Sequence, residues 1–278
     1  MNKDEYEKSV AKLSQLRNIQ IRTVQRRFMS INDKRKTIHN INNWYFSEVE
    51  KMRILKEESK CIEKIDKYAL LIGINYRDTN YELRGCVNDV YLLKHILINK
   101  YEYVDENIVC LLDTDASKES IIRHLKGLFN KSKEGDKLFF SFSGHGLQND
   151  VILASNKCTI QCEEIKKIID DNMKNRVQLF MFFDNCHSGF FFQMENDDTQ
   201  RHIICLSGCE KDQKSLDVCI NGKYHGAITY YAMKILENNN LTWKMFYENL
   251  LHRVKVQRLT QKPILKCPEN IFEYTLDI

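Results

Sequence analysis

The chain has 278 residues, 43% of them hydrophobic and 29% charged, and a formal net charge of +4. That suffices to bury a sizeable core in one large domain, or one domain with an extension. Ten cysteines in so long a chain, several inside apolar segments, read as reduced thiols rather than a disulfide framework, and no apolar run approaches the ~20 residues a bilayer span needs.

The N-terminus, "MNKDEYEKSVAKLSQLRNIQ", carries charges where a secretory leader has its apolar core, so a cytoplasmic, intracellular protein is expected. Residues 1–60 hold 14 Lys/Arg against 8 Asp/Glu, and the other 218 residues hold 28 against 30, which puts the basic excess in this part. It contains neither Gly nor Pro, and Val10, Leu13, Leu16, Ile19, Ile21, Val24 and Phe28 recur at helical spacing. The pattern predicts a basic helical extension over residues 1–66. Its cations read as the solvated face of that extension, and no nucleic-acid partner is expected.

From Lys67 to the C-terminus a second domain, 67–278, shows strand and helix in alternation. "YALLIGINY" reads as a buried strand, "VNDVYLLKHILINKY" as a helix, "NIVCLL" as a strand and "SKESIIRHLKGLFN" as a helix capped by Ser117. "DKLFFSFSGHG" is a strand and turn, "EEIKKIIDDNMK" a helix, and "VQLFMFFDNCHSG" a strand and turn. Strands alternating with helices predict an α/β fold, a mostly parallel sheet covered on both faces.

Sites in such sheets gather beyond the carboxyl ends of the strands. That rule sets "SGHG" beside "DNCHSG" and brings His145 toward Cys186. A thiol attacks well only as thiolate, and an imidazole beside it takes the proton. Gly144 and Gly146 let the backbone approach a substrate, and the amides of Gly146 and Cys186 are candidates for holding an oxyanion. Each residue alone reads as packing or as a loop histidine; the pair at matched strand ends is what points to catalysis. Cys209 is the competing nucleophile. A zinc site at Cys158/Cys162 and Cys205/Cys209 is the weaker reading of those pairs, because Cys205 falls inside a strand. A nucleotide-binding reading fails because no strand is followed by a G-x-G-x-x-G or P-loop.

At these residues the chain resembles the metacaspases, of the caspase-like clan of cysteine peptidases. "YALLIGINY", "LRGCVNDV", "FFSFSGHG", "FFDNCHSG", "LSGCEKDQKS" and "HGAITYYAM" recur in family order over roughly residues 67–265. The resemblance implies a six-stranded, mostly parallel sheet between helices, a His145–Cys186 dyad, a substrate pocket of Cys86, Asp89, Ser143 and Asp184, and cleavage of proteins or peptides after Arg or Lys. It also departs from the family. Between "SGHG" and the next helix stands "LQNDVILASNKCTIQCEE" rather than a long acidic insert, leaving Asp150, Glu163 and Glu164 as the best calcium candidates, with Gln193 where a carboxylate is expected. A hard cation wants several carboxylates, so no cofactor is required and calcium dependence is expected to be weak or absent. The Pro- and Gln-rich N-terminal region of many members is missing too.

On this reading the chain is a monomeric endopeptidase; the alternative is a catalytically quiet relative acting as a scaffold or inhibitor. Lys51, Arg53, Lys56, Lys60 and Lys64, in an expected connector ahead of the first strand, become self-cleavage candidates.

Overall fold

The structure, a computed structural model, describes residues 3–61, 65–148, 151–186, 188, 202–210, 213 and 215–278. The chain divides into two compact units, residues 1–64 and 65–278. Among the described residues no helix is long and apolar enough to cross a membrane.

The first unit is a pair of helices, α1 (Lys3–Arg26) and α2 (Ile31–Cys61). Ser30 starts α2: its hydroxyl accepts the Asp33 N–H at 3.1 Å and donates to the Asp33 carboxylate at 2.6 Å. The helices run back alongside each other. Arg17 donates to Asn42 at 2.8 Å and lies 5.0 Å over the Tyr45 ring.

One expectation is corrected here. Lys51, Arg53, Lys56 and Lys60 lie on α2 rather than in a connector. With no Gly or Pro between residues 31 and 61 nothing stops the helix, and the i,i+3 pairs Lys51–Glu48 and Arg53–Glu50 add to it. Lys64 falls outside the described residues.

The second unit is built on six strands in the order β11-β8-β7-β3-β1-β2. These are β1 (Lys67–Gly73), β2 (Ile108–Leu112), β3 (Lys137–Ser143), β7 (Gln178–Asp184), β8 (His202–Ser207) and β11 (Ile264–Lys266). All neighbours are parallel except β11, which runs antiparallel to β8. The mostly parallel sheet expected from the strand–helix alternation is therefore present.

Because side chains alternate across a strand, the continuous apolar runs of β3 and β7 feed two cores. Phe139, Phe180 and Phe182 face α3 (Cys86–Tyr101), α6 (Ala227–Leu236) and α7 (Trp243–Val256). Phe140, Phe142, Met181 and Phe183 face α4 (Lys118–Lys131) and α5 (Cys162–Asn172). Each of these buried side chains contributes roughly 1.5–3 kcal/mol. Ser117 caps α4 as expected, accepting the Ser120 N–H at 3.2 Å.

Two small sheets stand beside the main one. One comprises β4 (Gly146–Leu147), β5 (Val151–Leu153) and β6 (Thr159–Gln161). The other is a hairpin of β9 (Asp217–Ile220) and β10 (Lys223–Gly226), turning at Asn221 and Gly222 with φ of 51° and 78°, as a two-residue hairpin turn requires.

Candidate active site

The site is assembled by strand register. Ser143, the last residue of β3, pairs with Asp184, the last of β7, and with Gly73, the last of β1. Two residues beyond Ser143 and Asp184 come His145 and Cys186, so both side chains leave the same edge of the sheet from adjacent strands. The turns touch: a methyl group at Gly146 would collide with the Cys186 carbonyl oxygen and the Asn185 amide nitrogen. Glycine is required there by this close approach. Asn185 braces the turn by donating to the Cys186 carbonyl at 2.8 Å. His187 lies outside the described residues.

His145 is held from three sides. Its Nε2 is 2.6 Å from the Tyr81 carbonyl oxygen. A carbonyl only accepts, so this nitrogen carries a proton, and in the neutral ring Nδ1 is the one with the lone pair. The Tyr76 ring lies 4.8 Å from the imidazole, and the Tyr76 hydroxyl accepts the His145 N–H at 3.1 Å while donating to the Leu153 carbonyl at 2.5 Å. Burial pushes the Tyr76 hydroxyl up, so it stays a donor. Tyr76 takes this position with φ of 50°, a backbone cost of about 1–3 kcal/mol for a non-glycine residue, which the two hydrogen bonds help to offset.

Behind this pair lies a buried acidic cluster. Cys86, Asp89, Ser143 and Asp184 are exposed by 3%, 0%, 4% and 5%, and Gly226 lies close to both carboxylates. Asp89 accepts from the Ser143 hydroxyl at 2.8 Å, His225 Nδ1 at 3.2 Å and the Gly226 N–H at 3.1 Å. Asp184 accepts from the Ser215 hydroxyl, and from the Thr229 N–H at 3.0 Å and hydroxyl at 2.7 Å. Gly226 threads between the carboxylates, and a Cβ there would strike Asp184 and come within 3.0 Å of Asp89.

Burial lifts both carboxyls. Asp89 is pushed up to about 7, with the Asp184 charge adding to burial and the bonds from His225, Ser143 and Gly226 opposing it. Asp184 is raised by burial against the bonds from Ser215 and Thr229. The Cys86 thiol is raised well above its usual range by burial and then by the Asp89 charge. Asp89 therefore does more than meet the α3 dipole: it is a hub that three donors share.

Cys209 has none of the surroundings of a nucleophile. It is buried, its thiol raised by that burial, and its Sγ lies 3.3 Å from the Asn185 and Gln213 carbonyl oxygens. Cys205 is buried on β8, and among the described residues no three of His, Cys, Asp and Glu gather as a metal site.

Of the calcium candidates, Glu164 already has a cationic partner. Both Glu164 oxygens accept from the Lys118 ammonium, at 2.9 and 2.8 Å, and Glu164 also closes the N-terminal cap of α5 through Gln161. Glu163 is exposed, and Asp150 and Gln193 lie outside the described residues.

Residues 67–195, which span both strand ends, match the family model described as metacaspase, peptidase C14 domain. The chain carries a metacaspase domain. It is 35% identical to Metacaspase-1 of Plasmodium falciparum over 228 residues, covering 68% of this chain and 37% of that one. It is 37% identical to Metacaspase-6 of Arabidopsis thaliana over 141 residues, covering 44% and 38%. The chain thus spans little more than a third of the length of these relatives. A crystal structure of a Geobacter sulfurreducens protein shares the fold, with a TM-score of 0.59 at 17% identity over 75% of this chain and 96% of that one. The metacaspase domain accounts for the caspase-like, six-stranded sheet.

Sequence reasoning named His145, Cys186 and the four residues of the acidic cluster. It missed Tyr76 and Tyr81, which hold His145, and Ser215, Thr229 and His225, which hold the carboxylates. One signal for His225 was present: Asn221-Gly222 between "DVCI" and "KYHG" marks the hairpin that carries it.

Proposed function

We propose that this chain is a cysteine endopeptidase that cleaves after Arg or Lys, with Cys186 as nucleophile and His145 as base. The observation that carries the reading is the commitment of His145 Nε2 to the Tyr81 carbonyl, on a turn in contact with the Cys186 turn. It leaves Nδ1 as the free base. Nδ1 takes the thiol proton, and the thiolate attacks the scissile carbonyl carbon. The amides of Gly146 and Cys186, on the two touching turns, are the donors proposed for the oxyanion. The imidazolium then returns its proton to the leaving amine, and water, deprotonated by the same nitrogen, releases the acid and restores the thiol.

Both members of the dyad come from one chain, which supports action as a monomer. Substrates are proteins or peptides. The buried carboxylates of Asp89 and Asp184 favour a cationic side chain before the cleaved bond, and leave an acidic one facing like charge. Calcium has no assigned part.

The test is hydrolysis of matched peptides ending in Arg, Lys and Asp by purified protein. Cleavage of the Arg and Lys peptides with rejection of the Asp peptide is expected. Preference for the Asp peptide would overturn the specificity.

A further inference from the structure

The end of the helix pair where α1 gives way to α2 combines exposed apolar side chains with an excess of positive charge. Phe28 is fully exposed, Ile31 is 72% exposed and Met29 39%. They are not the interior of the hairpin, because Val24, one turn earlier on α1, is buried and they are not. Single exposed apolar residues are ordinary, but three within four positions form a patch that water solvates poorly.

Around them stand Arg22, Arg26 and Arg27 on the α1 side and Lys34, Arg35 and Lys36 on the α2 side. The chain has no Asp or Glu between Glu7 and Asp33, and Asp33 itself accepts from the Ser30 hydroxyl at 2.6 Å in the cap of α2. Residues 22–36 therefore carry six cations against one carboxylate, which is +5 of the +6 held by residues 1–60. Lys34 gives one N–H to the Gln25 carbonyl at 3.0 Å, and among the described residues none of the six pairs with a carboxylate.

Three kinds of partner bear on such a surface, and charge and apolar residues together choose among them. A nucleic acid meets the cations through its phosphates but gives Phe28, Met29 and Ile31 no apolar phase. A second copy covers the apolar residues while setting +5 against +5 at close range. An anionic bilayer answers both, because its headgroups take the cations and its acyl boundary, about 5–10 Å deeper, takes the apolar tip. The spacing fits that depth. At about 1.5 Å of rise per residue, Arg22 stands about 6 Å back from the end of α1 and Lys36 about 7–8 Å back from the start of α2.

We propose that the α1–α2 turn is a membrane-docking tip: Phe28, Met29 and Ile31 enter the interface of a bilayer that carries anionic lipid, and the six cations around them rest on its headgroups. The attachment is peripheral, since among the described residues no helix is long and apolar enough to cross a membrane. It does not depend on which residues perform the chemistry in the other unit.

The test uses full-length Cys186→Ala protein, so that self-cleavage does not remove the tip, sedimented with vesicles of phosphatidylcholine alone or of phosphatidylcholine mixed with phosphatidylserine. Binding to the mixed vesicles that weakens as salt is raised, with little binding to phosphatidylcholine alone, is expected. Adding Phe28→Ser and Ile31→Ser leaves every cation in place and is expected to weaken that binding about tenfold or more. Unchanged binding by that protein shows adsorption by charge alone and overturns insertion of the tip, and no binding of the parent protein to the mixed vesicles overturns the proposal outright. Circular dichroism checks that the helices persist, and Phe28→Trp supplies a reading that needs no loss of binding. Its emission, taken as the difference from the parent protein, shifts to the blue on mixed vesicles; an unshifted emission overturns the proposal. Tighter binding to a DNA duplex than to the mixed vesicles, or self-association abolished by Phe28→Ser in place of vesicle binding, assigns the tip to another partner and overturns it too.

Discussion

Ser143 and Asp184 face each other in register across two parallel strands, and each precedes by two residues the side chain proposed for the chemistry, His145 on one strand and Cys186 on the other. The same two residues also enter the buried acidic cluster, Ser143 by donating to Asp89 and Asp184 by accepting from Thr229. One row of the sheet thus leads into both the proposed dyad and the proposed pocket, so displacing β3 against β7 would disturb both together.

Tyr76 positions His145 and does not react. Tyr76→Phe removes the hydroxyl that joins the His145 N–H to the Leu153 carbonyl, and each lost hydrogen bond weighs about 1 kcal/mol. Steady-state kinetics are expected to show kcat reduced roughly 5–30-fold, the factor that 1–2 kcal/mol represents, with KM little changed. Unaltered kcat would show that the ring packing alone holds the imidazole.

Burial of Asp89 makes stability depend on pH. Its folded value, about 7, lies above the ~3.9 of an unfolded chain. The native state therefore keeps a proton that the unfolded state gives up. This contribution is fully present below about 3.9 and is lost as pH rises through about 7. Denaturant unfolding of wild type and Asp89→Asn is expected to show the wild type losing about 2–4 kcal/mol relative to the variant between pH ~4 and ~8. A gap that stays constant across that range contradicts the account.

Because Lys118 takes up the Glu164 carboxylate, calcium is expected to raise peptide hydrolysis little or not at all. Rates measured in calcium and in chelator decide it. A protein inert in chelator and switched on steeply by millimolar calcium would contradict this.

Self-cleavage is expected beyond the end of α2. A peptidase binds extended chain, and Lys51 and Arg53 are held in helix with ion pairs to Glu48 and Glu50. Intact mass after prolonged incubation should show wild type cut at Lys64, beyond α2, and Cys186→Ala protein at full length. Cleavage at Lys51 or Arg53, or shortening of the Cys186→Ala protein, would contradict this.

How far the sequence discloses the molecule depends on the range of the interaction. β3 and β7 are legible because a strand buried on both faces must be a continuous apolar run, and α4 because Ser117 supplies a local cap. The turn between α1 and α2 is not legible: "RFMS" contains neither Gly nor Pro, and only the bond between Ser30 and Asp33 marks the new start. The acidic cluster was legible as a set of residues but not as a network. Its decisive bonds join Asp89 to His225 across 136 positions and Asp184 to Thr229 across 45, and no local pattern encodes such pairs. Tyr76 stayed hidden for the same reason, since its partner Leu153 lies 77 residues away.

The central claim is that Cys186 and His145 perform the chemistry, and the most direct measurement is hydrolysis of an Arg-ended fluorogenic peptide by wild-type, Cys186→Ala and His145→Ala proteins whose folding has been matched by circular dichroism. The account predicts turnover by the wild type and its loss in both variants, because each removes one half of the nucleophile–base pair. Substantial turnover by the Cys186→Ala protein would contradict it and send the search for a nucleophile elsewhere in the chain.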